Sequence, residues 1–225
     1  MGEAIGQVLS FGVGVAVSPV PIIAVVLLLA TPRGRANGPA FLAGWVVGLS
    51  VVGTVVLFAA SGGDASEAGA PADWVSVLKL VLGVLLIGLA VKQWRGRPRG
   101  DQVPELPSWM KTVDTFTPTR SAGIAVALCA VNPKNLILTV GAAAAIAQTG
   151  AGTGSQAVAL AVFVVLGTLG VGLPVAISVF MGERSTRLLG ELHDWMAREN
   201  ATIMAVLCLV IGAKLIGDAI TALAA

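Results

Sequence analysis

The chain has 225 residues, of which 56% are hydrophobic and only 12% are charged. Its mean hydropathy of +0.90 indicates an integral membrane protein, because a soluble domain of this size cannot bury so much apolar surface. The formal net charge of +2 does not favour a nucleic-acid partner. One histidine and two separate cysteines provide no metal, redox or nucleotide-binding motif, so we expect no metal and no cofactor.

Six apolar stretches each have the roughly 20 residues needed to cross a ~30 Å hydrocarbon core. They predict six transmembrane helices at about residues 4–30, 37–61, 74–94, 120–148, 155–181 and 199–222. The second stretch contains Gly44, Gly48 and Gly53, a spacing that favours close contact between helices. Between the third and fourth stretches, residues 106–111 predict a short interfacial helix. Residues 182–198 form a mixed-charge connector before the last stretch.

Prolines interrupt the first and fourth stretches near their centres. The two interruptions read Ser18-Pro19-Val20-Pro21 and Asn132-Pro133-Lys134-Asn135. A proline removes a backbone donor and clashes with the preceding turn, and lipid offers no partner to the backbone groups that are freed. We therefore predict two broken helices around a polar cavity. The alternative is a pair of kinked but continuous helices, with Lys134 snorkelling toward an interface.

The positive charges predict the orientation in the membrane. Of the 14 Lys and Arg residues, all but Lys79, Lys134 and Lys214 fall in loops or at span edges on one side of a six-span arrangement. The positive-inside rule then places both termini outside and the basic loops in the cytoplasm.

Six spans divide into two sets of three, and an odd number of spans in each set makes the two halves inverted. The predicted fold is an all-α integral membrane protein with two inverted three-helix repeats, residues 1–94 and 120–225. A cytoplasmic basic loop, residues 95–119, joins them, and helices 1 and 4 are broken at their proline motifs. Proline-interrupted segments at corresponding positions of two halves indicate a transporter binding site.

The residues at the two breaks are the candidates for substrate binding. They are Ser18, Pro19, Pro21, Asn132, Pro133, Lys134 and Asn135. Half-helix N-termini at about Val20 and Lys134 would present partial positive charge, and the lysine adds a full charge. A carboxylate, sulfate or phosphate complements that arrangement. The alternative is that these polar groups only satisfy the interrupted backbone.

Two further sites carry charge within the predicted spans. Lys214 and Asp218 are four residues apart on one helix and can pair, either as a structural ion pair or as a gating or coupling element. Lys79, near an outer interface, is predicted to be an anchor. No nucleophile–base pair or paired carboxylates lie within the spans, so we expect no enzyme and no catalytic residues.

Three motifs together resemble a known family. They are Asn132-Pro133-Lys134-Asn135-Leu136, Leu106-Pro107-Ser108-Trp109 with Thr117-Pro118, and Ser18-Pro19-Val20-Pro21. They resemble the GAP family of actinobacterial peptidoglycolipid- or sulfolipid-addressing proteins, within the lysine exporter superfamily. The resemblance covers nearly the whole chain and implies a six-helix plasma-membrane transporter linked to export or surface delivery of envelope glycolipids. Thiol electron carriers of the same superfamily have a cysteine beside each proline break, whereas Cys129 has no mate in the other half, which disfavours a dithiol relay.

These observations leave three functions open. The first is a transporter or flippase that exports an anionic envelope lipid or a small metabolite by alternating access. The second is an amino-acid or cationic-metabolite exporter, which needs acidic groups in its cavity, although Asp218 is the only acid inside a predicted span. The third is a non-transport scaffold for envelope-lipid assembly. The expected partners are membrane lipids and the anionic lipid or small-molecule substrate, and a homodimer and envelope-lipid synthesis enzymes are also considered.

Overall fold

The computed structural model describes residues 2–62, 73–97, 108–182 and 184–224. These residues form eight α-helices and one short 3-10 helix, and this part of the chain contains no strand. In chain order the elements are α1 (Gly2–Ala16), α2 (Pro19–Ala30), α3 (Gly34–Gly62), α4 (Asp73–Arg95), the 3-10 helix η1 (Ser108–Thr115), α5 (Pro118–Ala130), α6 (Pro133–Gln148), α7 (Thr153–Met181) and α8 (Arg184–Leu223).

Four of the helices, α3, α4, α7 and α8, are each long and apolar enough to cross a bilayer. Two further pairs meet that criterion only when each pair is taken together. The helix α1 is bent from α2 by 50°, and α5 is bent from α6 by 66°. The described residues therefore contain four candidate spans, or six if each bent pair counts as one. The chain is an all-helical, multi-pass membrane protein.

The two bends lie at the proline motifs, so the predicted breaks in the first and fourth stretches are confirmed. The helix α2 begins at Pro19 and α6 begins at Pro133, each one residue before the predicted start. Ser18 and Asn132 precede them in extended conformation. A proline suits the first position of a helix, where an N–H has no intrahelical partner, and it forces the preceding residue out of the helical region.

The glycines of α3 allow close approach to neighbouring helices, as predicted. A Cβ at Gly44 would collide with the backbone of Ala122 in α5, and a Cβ at Gly48 would lie 2.9 Å from the Cys129 sulfur. Gly53 faces α7, where a Cβ would lie 2.7 Å from a methyl carbon of Leu160. Small residues at these positions bring the helices together, because packing drives helix association in lipid.

The helix α8 runs unbroken for 40 residues, which corrects the prediction of a separate connector at residues 182–198. At 1.5 Å per residue it is about 60 Å long, roughly twice the hydrocarbon thickness. Its first part is an amphipathic helix, in which the charged side chains lie on the face opposite the buried apolar ones. Leu189 and Met196 are buried, while the exposed Arg187 donates to the Glu191 carboxylate at 2.9 Å.

The helix η1 lies within the segment that was predicted to contain an interfacial helix, although residues 98–107 lie outside the described part. Met110 and Val113 are buried, and so is Phe116 just after the helix. The Asn37 side-chain amide donates to the Phe116 carbonyl at 3.1 Å. The segment therefore packs its apolar side against the helix bundle and not only against the bilayer interface.

Candidate functional site

The two helix breaks meet inside the bundle. The Ser18 hydroxyl, at the break between α1 and α2, donates to the Asn135 side-chain oxygen in the first turn of α6 at 3.1 Å. Both side chains are fully buried. The alternative of two kinked but continuous helices is therefore not observed.

The other residues predicted at the breaks take different positions. Pro19 and Pro21 are buried in the first turn of α2. Asn132 is half-buried and caps α6, because its side-chain oxygen accepts from the Lys134 backbone N–H at 3.1 Å. Pro133 is exposed on the outside of the bundle. The inward-facing part of the site thus consists of Ser18, Lys134 and Asn135, and the remaining residues shape the breaks.

The Lys134 side chain is 1% exposed, so snorkelling does not occur. Its ammonium donates to the Gly14 carbonyl at 2.8 Å. Gly14 lies in the last turn of α1, where carbonyls lack intrahelical partners; the backbone N–H of Ser18 bonds to Val15 instead. The ammonium thus satisfies a free carbonyl at the negative end of the α1 dipole.

In the part of the chain that the structure describes, this buried ammonium has no acidic partner. Among the described residues, no carboxylate oxygen lies within the 4.0 Å limit of an ion pair with Lys134. A lysine near the bilayer centre costs about 3 kcal/mol on insertion scales. One neutral carbonyl offsets only part of that cost, since a hydrogen bond to a charged group contributes about 1.5–3 kcal/mol.

A second buried donor belongs to Asn135, the residue after Lys134. The Asn135 side-chain nitrogen is buried and has no hydrogen-bond partner among the described residues. The adjacent N-terminus of α2 receives no side-chain cap from Ser18, so it presents partial positive charge to the same region. An unsatisfied buried donor costs about 1–3 kcal/mol. The arrangement is therefore rich in donors and suits a group that carries several anionic oxygens.

Lys214 and Asp218 form the predicted ion pair, with the ammonium and carboxylate 2.6 Å apart. Lys79 was predicted to be an interfacial anchor, and that prediction is wrong. The Lys79 side chain is only 5% exposed, because α4 packs along α8. It lies close enough to Lys214 and Asp218 to interact electrostatically with both. We call these three residues the outer cluster; it holds two ammonium groups and one carboxylate.

The charge imbalance in the outer cluster predicts unequal effects of two neutralising substitutions. Asp218→Asn should lower the free energy of unfolding by about 2 kcal/mol, because it leaves Lys79 and Lys214 with no counter-charge in a low-dielectric setting. Lys214→Met should cost less than about 1 kcal/mol, because Lys79 and Asp218 can still pair. Thermal unfolding in nanodiscs measures both variants. Equal losses, or a larger loss for Lys214→Met, would contradict this account.

Two residues of structural importance were missed from sequence. Gly14 acts through its carbonyl, and no side-chain pattern marks such a role. Trp45 is buried in the middle of α3, and its indole N–H donates to the Gly167 carbonyl of α7 at 3.1 Å. The position of Trp45 within the predicted span could have indicated its structural role, since tryptophans of membrane helices usually lie at the membrane interfaces.

The comparison with known proteins identifies one family. The sequence model of the family described as Sap, sulfolipid-1-addressing protein, matches residues 8–221. The match includes both helix breaks and the outer cluster. No curated protein and no solved structure matches the chain at a significant level.

Proposed function

This chain belongs to the sulfolipid-1-addressing protein family, and from that premise we propose that it moves an anionic envelope lipid across the membrane. The family and the membrane-helical fold indicate a protein tied to lipid handling. The observation that carries the proposal is the buried Lys134 ammonium, which has no carboxylate partner among the described residues, together with the buried side-chain nitrogen of the following Asn135, which has no hydrogen-bond partner among them. A sulfate or phosphate headgroup supplies the acceptors that both donors need.

The proposed binding step is an exchange of acceptors at Lys134. In the structure the ammonium donates to the neutral Gly14 carbonyl. An anionic headgroup is the stronger acceptor, because charge-assisted hydrogen bonds are about twice as strong as neutral ones. A second headgroup oxygen accepts from the Asn135 amide, and the N-terminus of α2 adds favourable partial charge. Substrate binding thus frees the end of α1 from α6.

The proposed transport mechanism is alternating access between two inverted repeats. The packing supports it, since contacts of the first half have counterparts in the second. Helix α1 packs on α7 as α5 packs on α3, α2 packs on α8 as α6 packs on α4, and α4 packs on its own counterpart α8. Rocking of one repeat against the other would then expose the midplane site to each side in turn. We place the protein in the plasma membrane, with its basic loops in the cytoplasm and both termini outside.

The two alternatives differ in their chemical requirements. An exporter of amino acids or cationic metabolites needs acceptors for a positive charge, but the inward-facing side chains at the breaks supply an ammonium and an amide donor. A scaffold for envelope-lipid assembly needs no such site and is consistent with the word "addressing" in the family description.

Reconstitution tests the proposal directly. Purified protein in liposomes should accelerate the flipping of a fluorescent anionic lipid, measured by quenching of the outer leaflet. A zwitterionic lipid with the same acyl chains is the control. Its flipping should be slower than that of the anionic lipid by about tenfold or more, since one charge-assisted hydrogen bond is worth about 1.5–3 kcal/mol. If neither lipid moves and the protein still co-purifies with lipid-synthesis enzymes, the scaffold function replaces transport.

A further inference from the structure

An apolar groove of about 410 Å³ lies between α1 and α8. Its lining includes Ser10 and Gly14 from α1 and Val206, Val210 and Ile211 from α8. The Val210 side chain is 61% exposed, and Val206 is similarly exposed. In a protein that spans a membrane, exposed apolar side chains of this kind face the acyl chains of the bilayer. The groove is therefore open toward lipid and not toward water.

The groove exists because its two walls are packed against different neighbours. Helix α1 packs mainly on α7 and α6, whereas α8 packs mainly on α4 and α2. The walls come together at Gly14, where a Cβ would collide with Ile211 and would lie 3.0 Å from Leu138. The groove is thus closed at Gly14, the residue whose carbonyl accepts from Lys134.

The polar groups around the groove select its occupant. The Ser10 hydroxyl is buried and has no hydrogen-bond partner among the described residues. The Lys214 ammonium lies 5.7 Å from the centroid of the ring of Phe11, the residue after Ser10, and the outer cluster to which it belongs has an excess positive charge. The apolar lining suits hydrocarbon, and the charged groups that contact its α1 wall are the ammonium groups of Lys134, at the Gly14 carbonyl, and Lys214, at the Phe11 ring. A lipid with an anionic headgroup combines these properties.

We propose that the groove between α1 and α8 holds an acyl chain of the anionic lipid whose headgroup binds at Lys134. The headgroup then enters the bundle sideways from the bilayer, which requires Gly14 and Ile211 to move apart, while the acyl chain stays in hydrocarbon. This assignment rests on the proposed function, because it takes the Lys134 site as the place where the headgroup binds.

Photo-crosslinking tests the assignment without requiring transport. The probe is phosphatidylglycerol with a diazirine on one acyl chain, in nanodiscs of phosphatidylcholine, and labelled residues are mapped by mass spectrometry. Residues 9–14 and 206–211 should be labelled at least about fivefold more than the exposed apolar face of α7 around Leu169 and Leu173. Equal labelling of the two faces would overturn the proposal.

Three variants and a second probe sharpen the test. Val210→Trp fills the groove from an exposed position and should lower groove labelling about fivefold, while Leu173→Trp, at the similarly exposed position on α7, should leave it unchanged. Lys134→Met should reduce labelling by the anionic probe to that of a diazirine phosphatidylcholine. Groove labelling that is indifferent to both Val210→Trp and Lys134→Met would overturn the proposal.

The groove proposal and the proposed function can fail separately. Lys134-dependent labelling of the groove by a protein that flips no lipid would support the groove and contradict transport. If Val210→Trp flips lipid as fast as the wild type and the groove is not preferentially labelled, the groove proposal is wrong, while the proposed transport function is still supported.

Discussion

Lys134→Met should reduce transport of the anionic lipid about tenfold or more while the protein remains folded. The methionine side chain has a similar length but no charge, so the headgroup loses its principal partner, worth about 1.5–3 kcal/mol. Stability should change little, because the lost hydrogen bond to Gly14 is offset by removal of the cost of an ammonium near the bilayer centre, about 3 kcal/mol on insertion scales. The thermal midpoint should stay within about 4 °C of the wild type.

Lys92→Met is the matched control for this substitution. Lys92 lies in the last turn of α4 and is exposed, so the same chemical change occurs far from the breaks. Its transport rate should stay within about twofold of the wild type, since exposed charges contribute little. Flipping in proteoliposomes and thermal unfolding are measured on the same preparations. If Lys134→Met flips the anionic lipid as fast as Lys92→Met, the headgroup role of Lys134 is wrong.

Gly170→Ala should cause the largest loss of stability among conservative substitutions in α7. A Cβ at this position would collide with the Ala16 carbonyl at the end of α1. Backbone atoms cannot move aside as a flexible side chain does, so α1 and α7 must separate where the first helix breaks. Overpacking typically costs 1–3 kcal/mol and occasionally more. We expect about 3 kcal/mol, which corresponds to a fall of roughly 6–12 °C in the thermal midpoint.

Gly172→Ala, two residues further along α7, provides the comparison. A Cβ there would meet only side-chain carbons of Leu42 and Thr168 at 3.8 and 3.9 Å, which is ordinary contact. Because alanine is the better helix former by about 1 kcal/mol, this variant should be as stable as the wild type or slightly more stable. Equal losses in the two variants would show that helix contact at Gly170 is not the cause.

Much of the fold could be predicted from the sequence because lipid imposes strict local requirements. Long apolar stretches predicted the helices. The prolines predicted the breaks, because the missing proline N–H removes a hydrogen bond from its own helical turn in any tertiary structure. The connector before the last span was harder to predict. Its mixed charge indicated a polar linker, but the charge placement was helical, with Arg187 four residues before Glu191 and Leu189 and Met196 on the buried side.

The candidate site was predictable only in part, because its partners come from distant parts of the chain. The motifs predicted Ser18 and Asn135, which are 117 residues apart and bond to each other. The acceptor of Lys134 is the backbone carbonyl of Gly14. Every residue has a backbone carbonyl, so no sequence pattern distinguishes this one. Lys79 was predicted to reach an interface, as lysines near span ends do. Its burial depends on how α4 packs along α8, which only the structure provides.

The burial of the two native thiols makes the membrane orientation easy to measure. Cys129 and Cys208 are fully enclosed, one on α5 and one on α8. A membrane-impermeant maleimide added to intact cells therefore reacts with neither, and neither needs to be replaced beforehand. A single cysteine introduced in the turn between α6 and α7 is then the only accessible thiol, since the chain has no cysteines besides these two. Its labelling from outside the cell reports directly which way round the protein is inserted.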